Sequence, residues 1–150
     1  MSKTSVTEKQ LAAWKALLNA HAVAVSQIES KLSAAERIPL SWYDVLWALR
    51  KQQGDCCLRF RQLQDEIVLS RSALSRLIDA LAKAGLVKKT ACAEDARGVD
   101  VELTEPGRKA LTAAWPVYSE GIAEHFARHL TAEDCADLSR ILDKVARRTG

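Results

Sequence analysis

Residues 70–76 read S-R-S-A-L-S-R. Within two helical turns they place three hydroxyls (Ser70, Ser72, Ser75) and two guanidiniums (Arg71, Arg76), with no carboxylate among them. A guanidinium carries paired N–H donors that match the O6 and N7 acceptors of guanine, and a serine hydroxyl serves either a base edge or a phosphate. A helix N-terminus adds partial positive charge that favours a phosphate. The chemistry these types can do is recognition of a polyanion, with duplex DNA the partner they fit. A further guanidinium, Arg97, lies beside Asp95 in the polar segment C-A-E-D-A-R-G. At a hairpin tip such an arginine suits a narrow minor groove, where the potential is most negative. Lys88, Lys89, Arg59 and Arg61 add cations around both sites. Plainer readings stand beside these. Arg76 is three residues from Asp79 and suits an ion pair on a surface helix, and Asp95 with Arg97 suits a loop ion pair worth little by itself.

The elements that position these groups follow from hydrophobic spacing. Leu74, Leu77, Ile78 and Leu81 recur three and four apart, which predicts a helix with Ser70 as its N-cap and Gly85 just past its end. Before it, R-Q-L-Q-D-E-I-V-L predicts a short helix with Leu63 and Ile67 inward, reached through an extended link, D-C-C-L-R-F. After it, L-V-K-K-T-A and V-D-V-E-L-T read as two strands, with Val99, Val101 and Leu103 alternating with acids. Upstream, Pro39 starts a helix W-Y-D-V-L-W-A-L-R-K-Q-Q with Ser41 as the expected cap and Trp42, Val45, Leu46 and Leu49 on its apolar face. Residues 8–32 predict a long helix whose Leu11, Trp14, Leu18, His21, Val25, Ile28 and Leu32 form a heptad seam. Thr104 caps another helix, with Pro106 in its first turn and a kink expected at Pro116. Thr131 and Asp134 suit a capping pair for a last helix bearing Leu138, Ile141, Leu142 and Val145. The fold class is therefore mainly α: a winged helix-turn-helix with a two-stranded β-wing, plus N- and C-terminal helices.

The totals agree with that reading. The chain has 150 residues, 48% hydrophobic and 27% charged, the size and composition of one globular domain. Its net charge of +3 is unevenly spread: residues 50–89 hold nine bases against four acids, a net of +5, against −2 elsewhere. A basic centre suits a docked polyanion. No apolar run is long enough for a membrane span, and M-S-K-T-S-V-T-E-K-Q does not resemble a secretory leader, so a cytoplasmic location is expected. Cys56, Cys57, Cys92 and Cys135 match no disulfide or zinc framework. The sequence lacks a G-x-S-x-G motif, a P-loop and a Rossmann fingerprint. Neither an enzyme nor a cofactor is expected.

Three stretches, Y-D-V-L-W-A-L-R, L-S-R-S-A-L-S-R-L-I-D-A-L-A-K-A-G-L-V-K-K and E-D-A-R-G-V-D-V-E-L-T-E-P-G-R-K-A-L, resemble the MarR family of bacterial winged-helix regulators over about residues 40–112. Asp95 and Arg97 stand as the family's D-x-R wing signature, followed by Leu103 and Thr104. The chain departs from the pattern in D-A-L-A at 79–82, where the family has D-R-L-E, and in Ala96, a frequent arginine. The resemblance implies a single domain over 1–150. In it, dimerisation helices at about 8–32 and 105–148 flank a DNA-binding winged helix-turn-helix at about 40–104. It further implies a homodimeric repressor on a palindromic operator, released by a small aromatic or anionic effector. Trp14, Trp42, Tyr43 and Trp47 are then candidates to line the effector pocket, with His21 or Arg71 taking an anionic group. Trp14 with Asp65 loosely resembles urate-responsive members. Two alternatives remain on the same fold: redox control through Cys57 or Cys92, near basic residues, and metal control through His125 and His129, four apart on one helical face, with Glu124, Glu133 or Cys135 as third ligand.

Overall fold

A computed structural model describes residues 5–51, 57–67, 69–91 and 98–147. Six α-helices and three strands follow one another: α1 (Glu8–Ala34), α2 (Leu40–Arg50), β1 (Cys57–Arg59), α3 (Phe60–Glu66), α4 (Arg71–Lys83), β2 (Val87–Ala91), β3 (Val99–Leu103), α5 (Glu105–His125) and α6 (Ala132–Ala146). A short 3-10 turn, Ala127–His129, separates the last two helices. The chain divides into two compact units, Leu32–Val117 and Met1–Lys31 with Tyr118–Gly150.

The unit Leu32–Val117 is built on an apolar core. Val45, Leu46 and Leu49 of α2, Leu63 of α3 and Leu74, Ile78 and Leu81 of α4 are fully buried, as are Val101 of β3 and Leu111 of α5. Each buried leucine is worth about 1.5–3 kcal/mol of transfer free energy, enough in sum to hold short helices that would not persist alone. The sheet runs β1-β3-β2, antiparallel throughout. The expected hairpin is present, with Val87 opposite Leu103 and Lys89 opposite Val101. The extended link adds a third strand, because Cys57, Leu58 and Arg59 pair with Glu102, Val101 and Asp100 on the free edge of β3. Val101 and Leu103 face inward between exposed Glu102 and solvent, the period-2 pattern that sets strand register.

Helix ends follow local rules. Thr7 and Gln10 form reciprocal bonds at the start of α1, with Gln10 N donating to Thr7 Oγ1 at 3.1 Å and Thr7 N to Gln10 Oε1 at 2.9 Å. At the start of α6, Asp134 N donates to Thr131 Oγ1 at 3.0 Å and Thr131 N to Asp134 Oδ2 at 2.9 Å. Ser41 is not the cap of α2: the helix begins one residue earlier, at Leu40, with Pro39 in the N-cap position and no side-chain bond there. Proline supplies the extended entry (φ −69°, ψ 161°), so no hydroxyl is needed. Two helices end alike. The N–H groups of Gly85 and Leu86 return to Ala82 O and Leu81 O, and those of Glu36 and Arg37 to Ser33 O and Leu32 O. Gly85 holds φ +80°, whereas Glu36 takes φ 56° with a full side chain. α5 begins tightly against the end of α4. Thr104 Oγ1 donates to Gly85 O at 2.6 Å and accepts from Gly107 N at 3.1 Å, and a Cβ on Gly107 would collide with Leu86 O. Pro116 lies inside α5, which continues through it to His125.

The second unit is differently made. Ile28 is its one buried large apolar side chain among the described residues, and Lys31 bridges Glu120 and Glu124 at 3.3 Å each. Leu11, Trp14, Leu17 and Leu18 of α1 are exposed, Trp14 by 56%, and α6 has no buried residue at all, with Val145 78% exposed. Among the described residues no helix is long and apolar enough to cross a membrane.

Candidate nucleic-acid interface

α3 and α4 form a helix-turn-helix, and β2–β3 follow as its wing. The sequence Leu74, Ile78, Leu81 seats α4 by one face only. Turning that face inward directs Arg71, Ser72, Ser75 and Arg76 to solvent, all four exposed. Ser70 does a different job. Its Oγ accepts from Ala73 N at 3.2 Å and lies 3.4 Å from Ser72 Oγ, so it closes the first turn of α4 and starts the helix at Arg71. Its removal would cost about 1 kcal/mol of helix stability.

The first turn of α4 carries no acid. The first carboxylate along the helix, Asp79, pairs with Lys89 of β2. The Arg76–Asp79 pair open at the level of sequence is thus replaced, and Arg76 makes no ion pair among the described residues. Among the described residues, the guanidiniums of Arg71 and Arg76 are thus open to an outside acceptor. The same bond ties the wing to the helix across ten residues, so Lys89 holds the wing in place as well as adding charge. Lys88 stands exposed opposite Glu102 in the ladder. Arg61 is exposed on α3, and Arg59 lies in β1 opposite Asp100. Asp95, Arg97 and Cys92 lie outside the described residues, as do the side chains of Cys57 and Arg59.

The residues expected around an effector scatter. Tyr43 is buried and stacks on Trp115, ring centroids 6.4 Å apart at 26°. Trp42 is half-buried, Asp65 exposed on α3, and Trp14 and His21 exposed on α1. Trp47 is 48% exposed and lines an open cleft of about 420 Å³ with Ser41, Asp44, Lys51, Glu66 and Leu69. Those partners were not expected at an effector site from sequence (Ser41 was expected only as a cap), although 41, 44, 47 and 51 are spaced three and four apart. The metal alternative fails on geometry. α5 stops at His125, Phe126 leaves helical angles (φ −139°, ψ −67°), and His129 belongs to the 3-10 turn, so the two imidazoles do not share a continuous helical face. No group of three or more His, Cys, Asp or Glu among the described residues is placed to hold a metal ion.

A MarR family sequence profile matches residues 38–98. The multiple antibiotic resistance protein MarR of Escherichia coli (strain K12) is 28% identical over 89 residues, 59% of this chain and 62% of that protein, so the match spans under two thirds of the relative's length. AbsC, a MarR family transcriptional regulator from Streptomyces coelicolor, is 26% identical and superposes with a TM-score of 0.84 over 96% of both chains. A second regulator of the family from Streptomyces coelicolor, solved in complex with DNA, is 24% identical with a TM-score of 0.87 over 97% of this chain and 90% of that one. The fold also recurs in an organohalide-sensing transcriptional regulator in a 2,4-dichlorophenol-bound form, 18% identical with a TM-score of 0.81 over 97% of this chain and 83% of that one.

Proposed function

We propose, from its similarity to the MarR family, that the chain is a member of that family and represses transcription by binding a palindromic operator as a homodimer. The observation that carries this is the exposed face of α4, where Arg71, Ser72, Ser75 and Arg76 stand free of acid on a helix locked from behind by Leu74, Ile78 and Leu81. The N-terminal turns of such a helix enter the major groove, and two copies reach half-sites about 34 Å apart. Arg97 is proposed to enter the flanking minor groove, with Lys88 and Arg61 on phosphates. The homodimer is supported by the exposed apolar residues of α1 and α6, which one chain leaves in water. In this reading one domain holds both units, α1, α5 and α6 dimerising and residues 40–104 reading DNA. A small aromatic or anionic effector and a cytoplasmic location belong to the same proposal.

Gel shifts with an operator fragment and a scrambled duplex test it. Arg71→Ala and Arg76→Ala are each expected to lose about 1–3 kcal/mol of discrimination between the two duplexes. Equal losses on both would reassign the arginines to phosphates, and wild-type protein that shows no salt-sensitive binding to any duplex would remove the function itself.

A further inference from the structure

We propose that Asp79 and Lys89, beyond tying the wing to α4, govern sequence preference without touching DNA. Their ion pair sets the angle between helix and wing, and so the spacing of the two grips, α4 in the major groove and the wing beside it. They are positioning residues. The consequence for DNA rests on the function proposed above, whereas the tie between helix and wing does not.

Three observations carry this. First, Asp79 follows Ser72, Ser75 and Arg76 at spacings of three and four, so the one carboxylate of α4 stands on its exposed face. Left bare it would repel phosphate. The Lys89 ammonium cancels it, and that charge is spent within the protein. Second, Lys89 lies opposite Val101 and Val87 opposite Leu103, and directly opposed residues share a face of the sheet. Lys89 therefore stands on the face that buries Val87, Val101 and Leu103, whereas Lys88, opposite Glu102, stands on the other. The strand period turns one lysine toward α4 and its neighbour away. Third, backbone bonds already fix the root of the wing: Leu86 N donates to Leu81 O at 3.0 Å and Thr104 N to Leu86 O at 3.2 Å. Beyond that root, Lys89 with Asp79 is the one side-chain bond between α4 and the strands among the described residues. Adjacent strands twist by anything from roughly −10 to −35°, so a fixed root leaves the outer part of β2 free to swing. The ion pair removes that freedom in advance, which lowers the ordering cost when both grips engage.

Hydrogen exchange on the full chain without DNA tests the tie. In Asp79→Asn and in Lys89→Gln, amides of 87–91 and 99–103 are expected to exchange about two- to fivefold faster, the reach of an exposed ion pair, with those of α2 unchanged. The swap Asp79→Lys with Lys89→Asp should return them to the wild-type rate. Binding to a duplex selected from a random-sequence pool with the wild-type protein, beside a scrambled duplex, tests the consequence. Each single variant should lose about two- to fivefold of the preference for the selected duplex, although Asp79→Asn removes a negative charge from the reading helix. The double variant should lose no more than either single, and Lys89→Arg should keep the preference. The salt dependence of Lys89→Gln should match wild type, where loss of a phosphate contact would lower the slope by about one. Both side chains are exposed, so the variants are expected to fold. Unchanged exchange in the single variants, a swap that exchanges as fast as they do, a sharper preference in Asp79→Asn, or a lowered salt slope in Lys89→Gln would each overturn the assignment. A pool that yields no duplex would overturn the operator reading instead, and the exchange rates would still decide the tie.

Discussion

The two units use similar apolar residues to opposite ends. In Leu32–Val117 leucines from five helices and valines from the sheet vanish from solvent, whereas in the unit of residues 1–31 and 118–150 only Ile28 does so among the described large apolar side chains. The first has the means to be stable by itself. The second leaves Leu11, Trp14, Leu18, Ile141 and Val145 in water, and its stability is expected to depend on a second copy, and so on concentration.

The sharpest attack on that contrast is a cavity in each unit. Leu74→Ala is expected to cost about 2–5 kcal/mol in urea melts, by the same amount at every protein concentration. Leu18→Ala should instead make the melting temperature more dependent on concentration and weaken the proposed self-association in sedimentation. If Leu18→Ala behaved as Leu74→Ala does, the two units would not differ in kind.

A smaller contrast lies in the two matched helix ends. Gly85→Ala is expected to lose about 1 kcal/mol, since alanine at φ +80° is strained although a Cβ there meets open space. Glu36→Gly should gain up to about 1 kcal/mol by relieving the left-handed glutamate. Thermal melts of the two variants should move in opposite directions.

The smallest effect is electrostatic and belongs to the helical unit. Hydrogen bonds donated to Glu124, then to Glu120, raise the Lys31 ammonium above its usual value, and Lys31 lowers the Glu124 carboxyl below its own. A lowered carboxyl stabilises above the ordinary carboxylate range, and that contribution fades as pH falls through the lowered value. A raised ammonium stabilises below its ordinary value and is lost as pH rises past the raised one. The pair therefore acts across neutral pH. Glu124→Gln should flatten the acid limb of a stability profile slightly, and added salt should shrink the difference.

Much of the candidate interface was legible because its determinants are local. Ser70, Leu74, Ile78, Leu81 and Gly85 lie within sixteen residues, and a cap, a buried stripe and a left-handed stop are each written in nearest-neighbour spacing. Ser41 misled because proline alone opens α2, and the His125–His129 spacing misled because the helix ends between them. The partner of Asp79 was not legible either. Arg76 stood nearer in sequence, but the turn at Gly85 brings Lys89 back alongside the helix.

What the amino-acid order determined unaided was the succession of helices, the inward faces of α2 and α4, and the placement of hydroxyls and guanidiniums on the outward face of α4. These depend on a period of about 3.6 residues, which needs no distant contact. Only the tertiary structure decided that β1 joins the sheet, that Lys89 rather than Arg76 neutralises Asp79, and that Trp47 lines a cleft while Tyr43 is buried. Each of those outcomes depends on which segments meet across a loop, and side-chain spacing along one element carries no information about its neighbour.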